Sequence, residues 1–480
     1  MTAEPILLDM EYELARTLSL LDLTMIGVAG MIGAGIFVLT GVAAGVAGPA
    51  LVLAFLLNGI ITTFTALCYA ELGSAIPEAG GGFLWVKEGV GGPSGFVSGW
   101  MSWLAHTVAG SLYALGFGAY FALTLEIMGV SLFGFGLELT IKILAVIIVV
   151  IFMLINFKGV SETGTAGNIV TIAKIIILAV FIGSGLYVMY THPDFGLSNF
   201  QPLFPHGLGG LFLACGLTFI AFEGYEIIAQ AGEEVRNPRK NVPRATFVSI
   251  LIVVPIYCLV AYVSIGALIV ETGTTWEFLA QFGELGLVEA AKQFMPAGIF
   301  LLTIGGLLST MSALNATTYS STRVCFAMAR DNFIPKKLAT IHKKTRTPHM
   351  ALLMSGIIMI SMAVSIPLED VASASSIMFL LLFLLVDVSV IMIRRKIGKQ
   401  LDYGYKTPLF PLVPIIAICA NLGLAVYLFF YSPTAWYVTL AWIGVGILIY
   451  YLYSNRHYIR RKDHWKKFAH LKSDIEEKGK

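Results

Sequence analysis

The chain has 480 residues, of which 57% are hydrophobic and 12% charged, with a mean hydropathy of +0.82 and a net charge of +2. That composition excludes a water-soluble globular protein, since most of such a chain dissolves in lipid. Cys68, Cys215, Cys258, Cys325 and Cys419 stand singly inside apolar segments with no CxxC spacing, so no disulfide, metal cluster or metal cofactor is expected.

Apolar runs of roughly 20 residues predict twelve membrane helices, at about 20–47, 50–74, 94–126, 138–156, 166–190, 208–230, 246–270, 295–328, 349–366, 371–393, 409–431 and 434–454. The opening MTAEPILLDMEYELARTL is acidic and lacks the basic start, short apolar core and cleavage site of a removable signal peptide, so the first helix is expected to stay. With twelve spans and a cytoplasmic N-terminus, 27 of the 31 Lys and Arg fall on inner segments. That asymmetry predicts a multi-pass protein of the cytoplasmic membrane with both termini inside.

The first span, LLDLTMIGVAGMIGAGIFVLTGVAAGVAG, is interrupted at mid-depth by Gly33, Ala34 and Gly35. A chain opens its backbone inside hydrocarbon only where protein or a cavity supplies hydrogen-bond partners, so this interruption suggests a binding site. Gly27, Gly30, Gly41, Gly45 and Gly48 suit close helix packing instead. A helix restarting over Ala34 to Phe37 would offer backbone N–H groups and a positive dipole end to an anion such as a carboxylate.

Further along, Glu71 ends span two, where a partner near the inner surface is expected, and His106 in span three reads as a hydrogen-bonded core histidine. Glu126 and Lys142 lie near the outer boundary and can reach water. Lys174 lies about ten residues into span five, roughly 15 Å from the inner end, with no acidic residue within a turn. A lysine too deep to snorkel is a functional candidate.

The sixth span carries a second interruption, at Phe222, Glu223 and Gly224. Spans one and six are equivalent positions if five helices repeat as another five, and transporters built from inverted repeats place their site between such breaks. Unwinding here would free the carbonyls of Phe219, Ile220 and Phe222 to accept from an ammonium. A carboxylate site facing an ammonium site describes an α-amino acid, whereas a choline-like or polyamine ligand would use only the second half. Glu223 and Glu226 could bind a cationic group or carry a proton, or simply accept from freed backbone N–H groups. Arg323, Arg330 and Asp331, with Glu233, Glu234 and Arg236, read as a charge network at the inner end, and Asp387 as structural. The basic tail, 455–480, reads as a topology-setting, lipid-contacting segment with no nucleic-acid role.

Four motifs in order carry a resemblance: IGAGIF in span one; YAELGSAIPEAGGGFLWVKEGVGGPSGFVSGW after span two; FIAFEGYE with GEEVRNPRKNVPRA around the end of span six; and NATTYSSTRVCFAMARDNFIPKKL closing span eight. Over at least residues 20–395 the chain resembles the amino acid–polyamine–organocation transporter superfamily, and within it prokaryotic relatives of the cationic amino acid transporters. The resemblance implies an all-α membrane fold with the five-plus-five inverted repeat of the leucine transporter, discontinuous first and sixth helices, and alternating access. It places a substrate carboxylate at the amides near Ile32, Gly33, Ala34 and Gly35 and the amino group at the carbonyls near Phe219, Ile220 and Phe222. Ile220 stands where the family's arginine/agmatine antiporter has a gating tryptophan, which argues against that exchange.

In some members a lysine matching Lys174 replaces a sodium ion, which would set its ammonium among the carbonyls of Ala29 and Ile32 and a span-eight hydroxyl such as Ser309. An acidic residue matching Glu226 takes part in proton sensing elsewhere in the superfamily. The organisation expected is a cytoplasmic segment (1–19), a ten-helix core (20–395), two further helices (396–454) and the tail (455–480). The function expected is secondary transport of an amino acid, coupled to protons or by sodium-independent exchange. A polyamine or organic-cation exchanger is the alternative within that class. A membrane enzyme or sensor would need a catalytic cluster or soluble domain that the sequence does not display, and no GxxxxGK[ST] phosphate loop is present.

Overall fold

The computed structural model describes residues 16–78, 80–130, 136–158 and 165–457. Most of the N-terminal segment and of the basic tail therefore lies outside the described residues. In chain order the helices are α1 (Leu20–Met31), α2 (Ala34–Ala47), α3 (Leu51–Ala75), α4 (Gly82–Gly89), α5 (Gly92–Ile127), α6 (Leu137–Lys158), α7 (Thr165–Thr191), α8 (Pro193–Ser198) and α9 (Gly207–Thr218). They continue as α10 (Tyr225–Gln230), α11 (Pro238–Gly266), α12 (Thr275–Gln281), α13 (Gly286–Phe294), α14 (Gly298–Arg330), α15 (His349–Ser365), α16 (Leu368–Lys396), α17 (Leu412–Tyr427) and α18 (Pro433–Ile449). The β structure among the described residues is one isolated parallel bridge, Leu18 to Val235. There the Leu18 N–H donates to Glu234 O at 2.9 Å and the Arg236 N–H to Leu18 O at 2.9 Å.

Ten stretches among the described residues are long and apolar enough to cross a membrane; one of them, Leu20–Ala75, runs through α1, α2 and α3, and α15 is shorter at 17 residues. The first helix is started by a capping box in which Ser19 Oγ accepts from the Asp22 N–H at 3.3 Å and Asp22 Oδ2 accepts from the Ser19 N–H at 3.0 Å. Asn168 of α7 donates to the other Asp22 oxygen at 3.0 Å and ties the helix start to its neighbour.

Helix α5, 36 residues and about 54 Å long, is the axis of the bundle, packed against α14, α16 and α6 and buried along most of its length. Its outer neighbours behave oppositely. Ile147, Ile151 and Leu154 of α6, Ile169, Ile172 and Ile176 of α7, and Leu440, Ile447 and Leu448 of α18 are exposed. An apolar belt of that extent is a liability in water and the natural surface in lipid. Helix α18 is fastened to the axis by Trp100 and Trp442, whose rings stack at 4.3 Å while each indole N–H donates to the other's carbonyl, at 2.8 and 3.0 Å.

Both expected interruptions are present, each narrower than the sequence pattern implies. In the first, α1 ends at Met31 and α2 begins at Ala34, so only Ile32 and Gly33 leave the helix and Gly35 already lies in its first turn. In the second, Phe219–Phe222 tighten into a 3₁₀ turn and only Glu223, extended, and Gly224, at φ +137°, are unwound.

Candidate functional site

Helix α2 starts without a side-chain cap, because its N-cap is Gly33. The amides of Ala34, Gly35 and Ile36 therefore have no intrahelical acceptor, and all three residues are buried. Three uncapped N–H groups at a positive dipole end favour an anion. On the other side of the break, the carbonyls of α1 are taken by side chains. The hydroxyl of Tyr257 (α11) lies against Met31 O, and Ser309 Oγ (α14) donates to Ile32 O at 2.7 Å.

Lys174, completely buried on α7, completes that arrangement. Its Nζ donates to Ile32 O at 2.7 Å, to Ala29 O at 3.3 Å and to Ser312 Oγ at 2.9 Å. The hydroxyl is that of Ser312, not Ser309. The two serines sit one turn apart on one face of α14; Nζ reaches the second while the first bonds Ile32 O directly. A fixed cation thus sits among the carbonyl ends of α1, where acceptors converge.

The second break differs in its polar groups. The Ile220 N–H donates to Ser376 Oγ of α16 at 3.2 Å, and Ile220 O accepts from the Glu223 N–H at 3.3 Å. The expectation that Phe219, Ile220 and Phe222 all lose their intrahelical partners is corrected accordingly, because the 3₁₀ turn retains i→i+3 bonding. Ala221 O accepts from Tyr257 OH at 2.9 Å, so one tyrosine serves both breaks. Glu223 is buried, with Oε1 accepting from Tyr113 OH of α5 at 2.9 Å and Oε2 without a hydrogen-bond partner. Glu226 Oε2 accepts from the Gly224 N–H at 2.7 Å.

Glycines bring the two breaks into contact. A Cβ on Gly35 would lie 2.5 Å from Ala221 Cα, and one on Gly30 would lie 2.8 Å from Gly224 Cα. Gly35 therefore serves close approach of α2 to the 3₁₀ turn and does not line open space. Gly33 faces Ala313 and the Tyr113 ring, 3.0 and 3.6 Å from where a Cβ would stand. Tyr113 thus lies beside Gly33 and bonds Glu223, so one residue of α5 neighbours both breaks.

A cavity of about 110 Å³ opens from the Leu18 end of the bundle, lined by Met25 and Ala29 of α1, Thr171 of α7, Gln230 of α10, and Ser312 and Asn315 of α14. Two of the three residues that hold Lys174, Ala29 and Ser312, are among its lining. Polar contacts surround it: Asn156 donates to Asn315 Oδ1 at 2.7 Å, Ser320 to Gln230 at 2.8 Å, and Arg323 pairs with Glu234 at 3.3 Å. Asp331 pairs with Lys87 at 2.7 Å, and Glu71 takes a bidentate grip from Arg394, at 2.7 and 2.6 Å. Asp387 accepts from Asn421 at 3.0 Å and Thr65 at 3.3 Å, away from the breaks. Lys142 pairs with Glu138 at 2.8 Å.

Sequence reasoning missed Tyr113, Tyr257, Ser312 and Ser376 as members of the site. A signal existed for α5: His106, Tyr113 and Tyr120 recur every seven residues and hence share one face. That face meets Glu226, Glu223 and Phe37 O in turn.

A family model described as "Amino acid permease" matches residues 18–450. The chain belongs to that family, within the amino acid–polyamine–organocation superfamily. It is 32% identical over 460 residues to the branched-chain amino acid permease BcaP of Bacillus subtilis, covering 93% of this chain and 95% of that one. It is 31% identical over 468 residues to the methylthioribose transporter of the same organism, covering 94% and 95%. It is also 30% identical over 399 residues to the vacuolar cationic amino acid transporter 2 of Arabidopsis thaliana, covering 80% of this chain and 60% of that protein. The family is one of transporters rather than enzymes, and its members are multi-pass membrane proteins.

Proposed function

We propose that the protein is a secondary active transporter that carries an amino acid across the cytoplasmic membrane by alternating access, coupled to protons or exchanging without sodium. The observation that carries this reading is the presence, at two breaks that touch each other, of three buried, uncapped amides at the start of α2 and the buried, partnerless Oε2 of Glu223. A carboxylate fits the first and an ammonium the second. In this reading Ile32, Gly33 and Ala34 shape the carboxylate end. Phe219, Ile220, Phe222 and Glu223 shape the ammonium end, and Gly35 keeps the two close.

Lys174 is the fixed cation that makes a bound sodium ion unnecessary at α1, and Glu226 is a proton carrier. In this reading the chain crosses the membrane twelve times, as a five-plus-five inverted repeat over 20–395 with two additional helices over 396–454, both chain breaks counting within single spans. The Leu18 end, with its concentration of Lys and Arg, is read as cytoplasmic. Alternating access is supported by the cavity at that end, whose α1 lining ends at Ala29, about one turn short of the break.

The partnerless Glu223 oxygen also favours a second reading, an exchanger of organic cations such as polyamines. Among the relatives one is named for branched-chain amino acids, one for cationic amino acids and one for methylthioribose, so identity does not choose among substrates. A competition screen in proteoliposomes at several pH values chooses. Inhibition by zwitterionic amino acids, and by neither simple amines nor simple carboxylates, is the expected result. Inhibition by amines alone selects the cation exchanger, competition by methylthioribose alone overturns both, and sodium stimulation contradicts the role given to Lys174.

A further inference from the structure

We infer that residues 397–411, between α16 and α17, are a strap that fastens α3, α16 and the start of α11 into one unit at the Leu18 end, so that this end opens only along the α1 flank, where the cavity lies. The inference rests on the transport reading for its functional meaning, but the strap itself is a matter of contacts. Fifteen residues without helix or strand join α16 to α17. A connection of that length is uncommon in a packed protein and usually has a task.

Its anchor is Glu71, completely buried near the end of α3 and gripped by Arg394 of α16. The Thr407 N–H of the strap donates to Glu71 Oε2 at 2.8 Å, Arg394 donates to Thr407 O at 3.1 Å, and Thr407 Oγ1 donates to Leu67 O of α3 at 3.1 Å. The Phe410 ring lies 4.3 Å from the Arg394 guanidinium. A carboxylate of α3, a guanidinium of α16 and the strap backbone thus satisfy one another in a bidentate, geometrically exacting arrangement. Pulling α3 from α16 would leave a buried charge unpaired, which is strongly unfavourable.

Other ties extend the strap to α11 and α4. The Tyr405 N–H donates to Ser74 Oγ of α3 at 3.1 Å, and the Tyr405 ring packs on Phe247 of α11 at 5.0 Å. Asp402 pairs with Arg239 of α11, and the backbone at Gly404 lies so close to Arg239 O that a Cβ there would overlap it. Lys396, the last residue of α16, donates to Gly89 O at the end of α4 at 2.9 Å. Arg239 is three residues beyond Arg236, whose N–H bonds Leu18 O, so the strap and the Leu18 bridge share one end of the bundle.

The α1 flank is different in kind. The cavity lies there, with α1 and α10 on one side and α7 and α14 on the other. Its ties are side-chain contacts: Ser320 to Gln230, and Arg323 to Glu234, whose side chains are 35% and 22% exposed. An ion pair with that much access to water holds weakly, whereas a buried one is costly to break. The α1 flank is therefore the one that yields.

The test is cross-linking of the full chain in proteoliposomes with a short, reducible bis-thiosulfonate, at two cysteine pairs that each replace an ion pair at this end. Arg239→Cys with Asp402→Cys spans the strap, and Glu234→Cys with Arg323→Cys spans the cavity side. Wild type, with its five native cysteines, is treated alongside as the control. Uptake of radiolabelled leucine and arginine should stay within about twofold when the strap pair is joined and fall to about a tenth or less when the cavity pair is joined, returning on reduction. Loss of uptake on joining the strap pair, reversed by reduction, overturns the inference, as does full uptake with the cavity pair joined. Spin labels at the same four positions decide where a double variant, or wild type, does not transport these probes. A narrow distance across the strap and a broad or split one across the cavity are expected; equal widths or the reverse overturn the strap. Absence of wild-type uptake counts against the transport reading alone, because the spin-label distances need no substrate.

Discussion

The two helix breaks are built from the same device and provisioned differently. At the first, side chains from three other helices occupy the acceptors: Tyr257 at Met31 O, Ser309 at Ile32 O, and Lys174 at Ile32 O and Ala29 O. No titratable side chain of its own lies between α1 and α2, and the one cation is delivered from α7. The second carries two carboxylates within four residues, Glu223 and Glu226, and each has an oxygen that no hydrogen bond satisfies. A buried polar atom without a partner is expensive and is found where something else completes it. The first break thus joins uncapped amides to carbonyls already held by a buried lysine, a tyrosine and a serine, whereas the second retains spare acceptor capacity.

The comparison is broken most severely at Lys174. Lys174→Ala removes the Nζ bonds to Ile32 O, Ala29 O and Ser312 Oγ and leaves Ile32 O with Ser309 alone, a loss of about 3 kcal/mol or more. Uptake in proteoliposomes should fall by at least about 100-fold and lose its pH dependence; unchanged pH dependence removes the residue from coupling. Next comes contact between the breaks. Gly35→Val would place side-chain atoms onto Ala221, where even a Cβ stands at 2.5 Å, and overpacking of that kind costs about 1–3 kcal/mol. Substrate binding, measured by thermal-shift titration, should be lost, and full affinity would show that the breaks need not touch.

Glu223→Gln sharpens the difference, since it replaces the carboxyl with an amide and leaves the shape. Affinity for ammonium-bearing ligands should drop by roughly tenfold to a hundredfold, about 1.5–3 kcal/mol, with little change for carboxylates that lack an amine. Equal loss for both ligand types would move the ammonium away from this residue. The smallest effect belongs to Tyr257→Phe. Its hydroxyl has one hydrogen for two carbonyls, Met31 O and Ala221 O, so its removal costs about 1 kcal/mol. The expected signature is a lower thermal midpoint with unchanged selectivity.

Much of this was legible from residue types alone. A Gly-Ala-Gly run at mid-span and a lysine in an otherwise apolar helix violate the rules of hydrocarbon so plainly that each marks itself. The matching break was legible as Phe-Glu-Gly, again because a charge and a flexible residue share one depth. What escaped was partnership. Tyr113 and Tyr257 read as ordinary core aromatics in apolar helices, and only the packing of α5 and α11 against the breaks assigns their hydroxyls. The choice of Ser312 over Ser309 depends on where one lysine tip ends, a matter of a single helical turn. The packing of Gly35 against Ala221 also escaped, because glycine spacing cannot distinguish room for a substrate from room for a neighbouring backbone.

The bridge between Leu18 and Val235 has a mechanical consequence. It joins backbone to backbone, one partner just ahead of the first interrupted helix and the other just past the second, so side-chain truncation leaves its donors and acceptors in place and only proline, at 18 or 236, removes one. The half-helices that lead from it toward the middle of the bundle are latched at a shared hinge pin, and a swing of one drags its counterpart along. Were that face to open, a single leaf rather than two independent flaps would move.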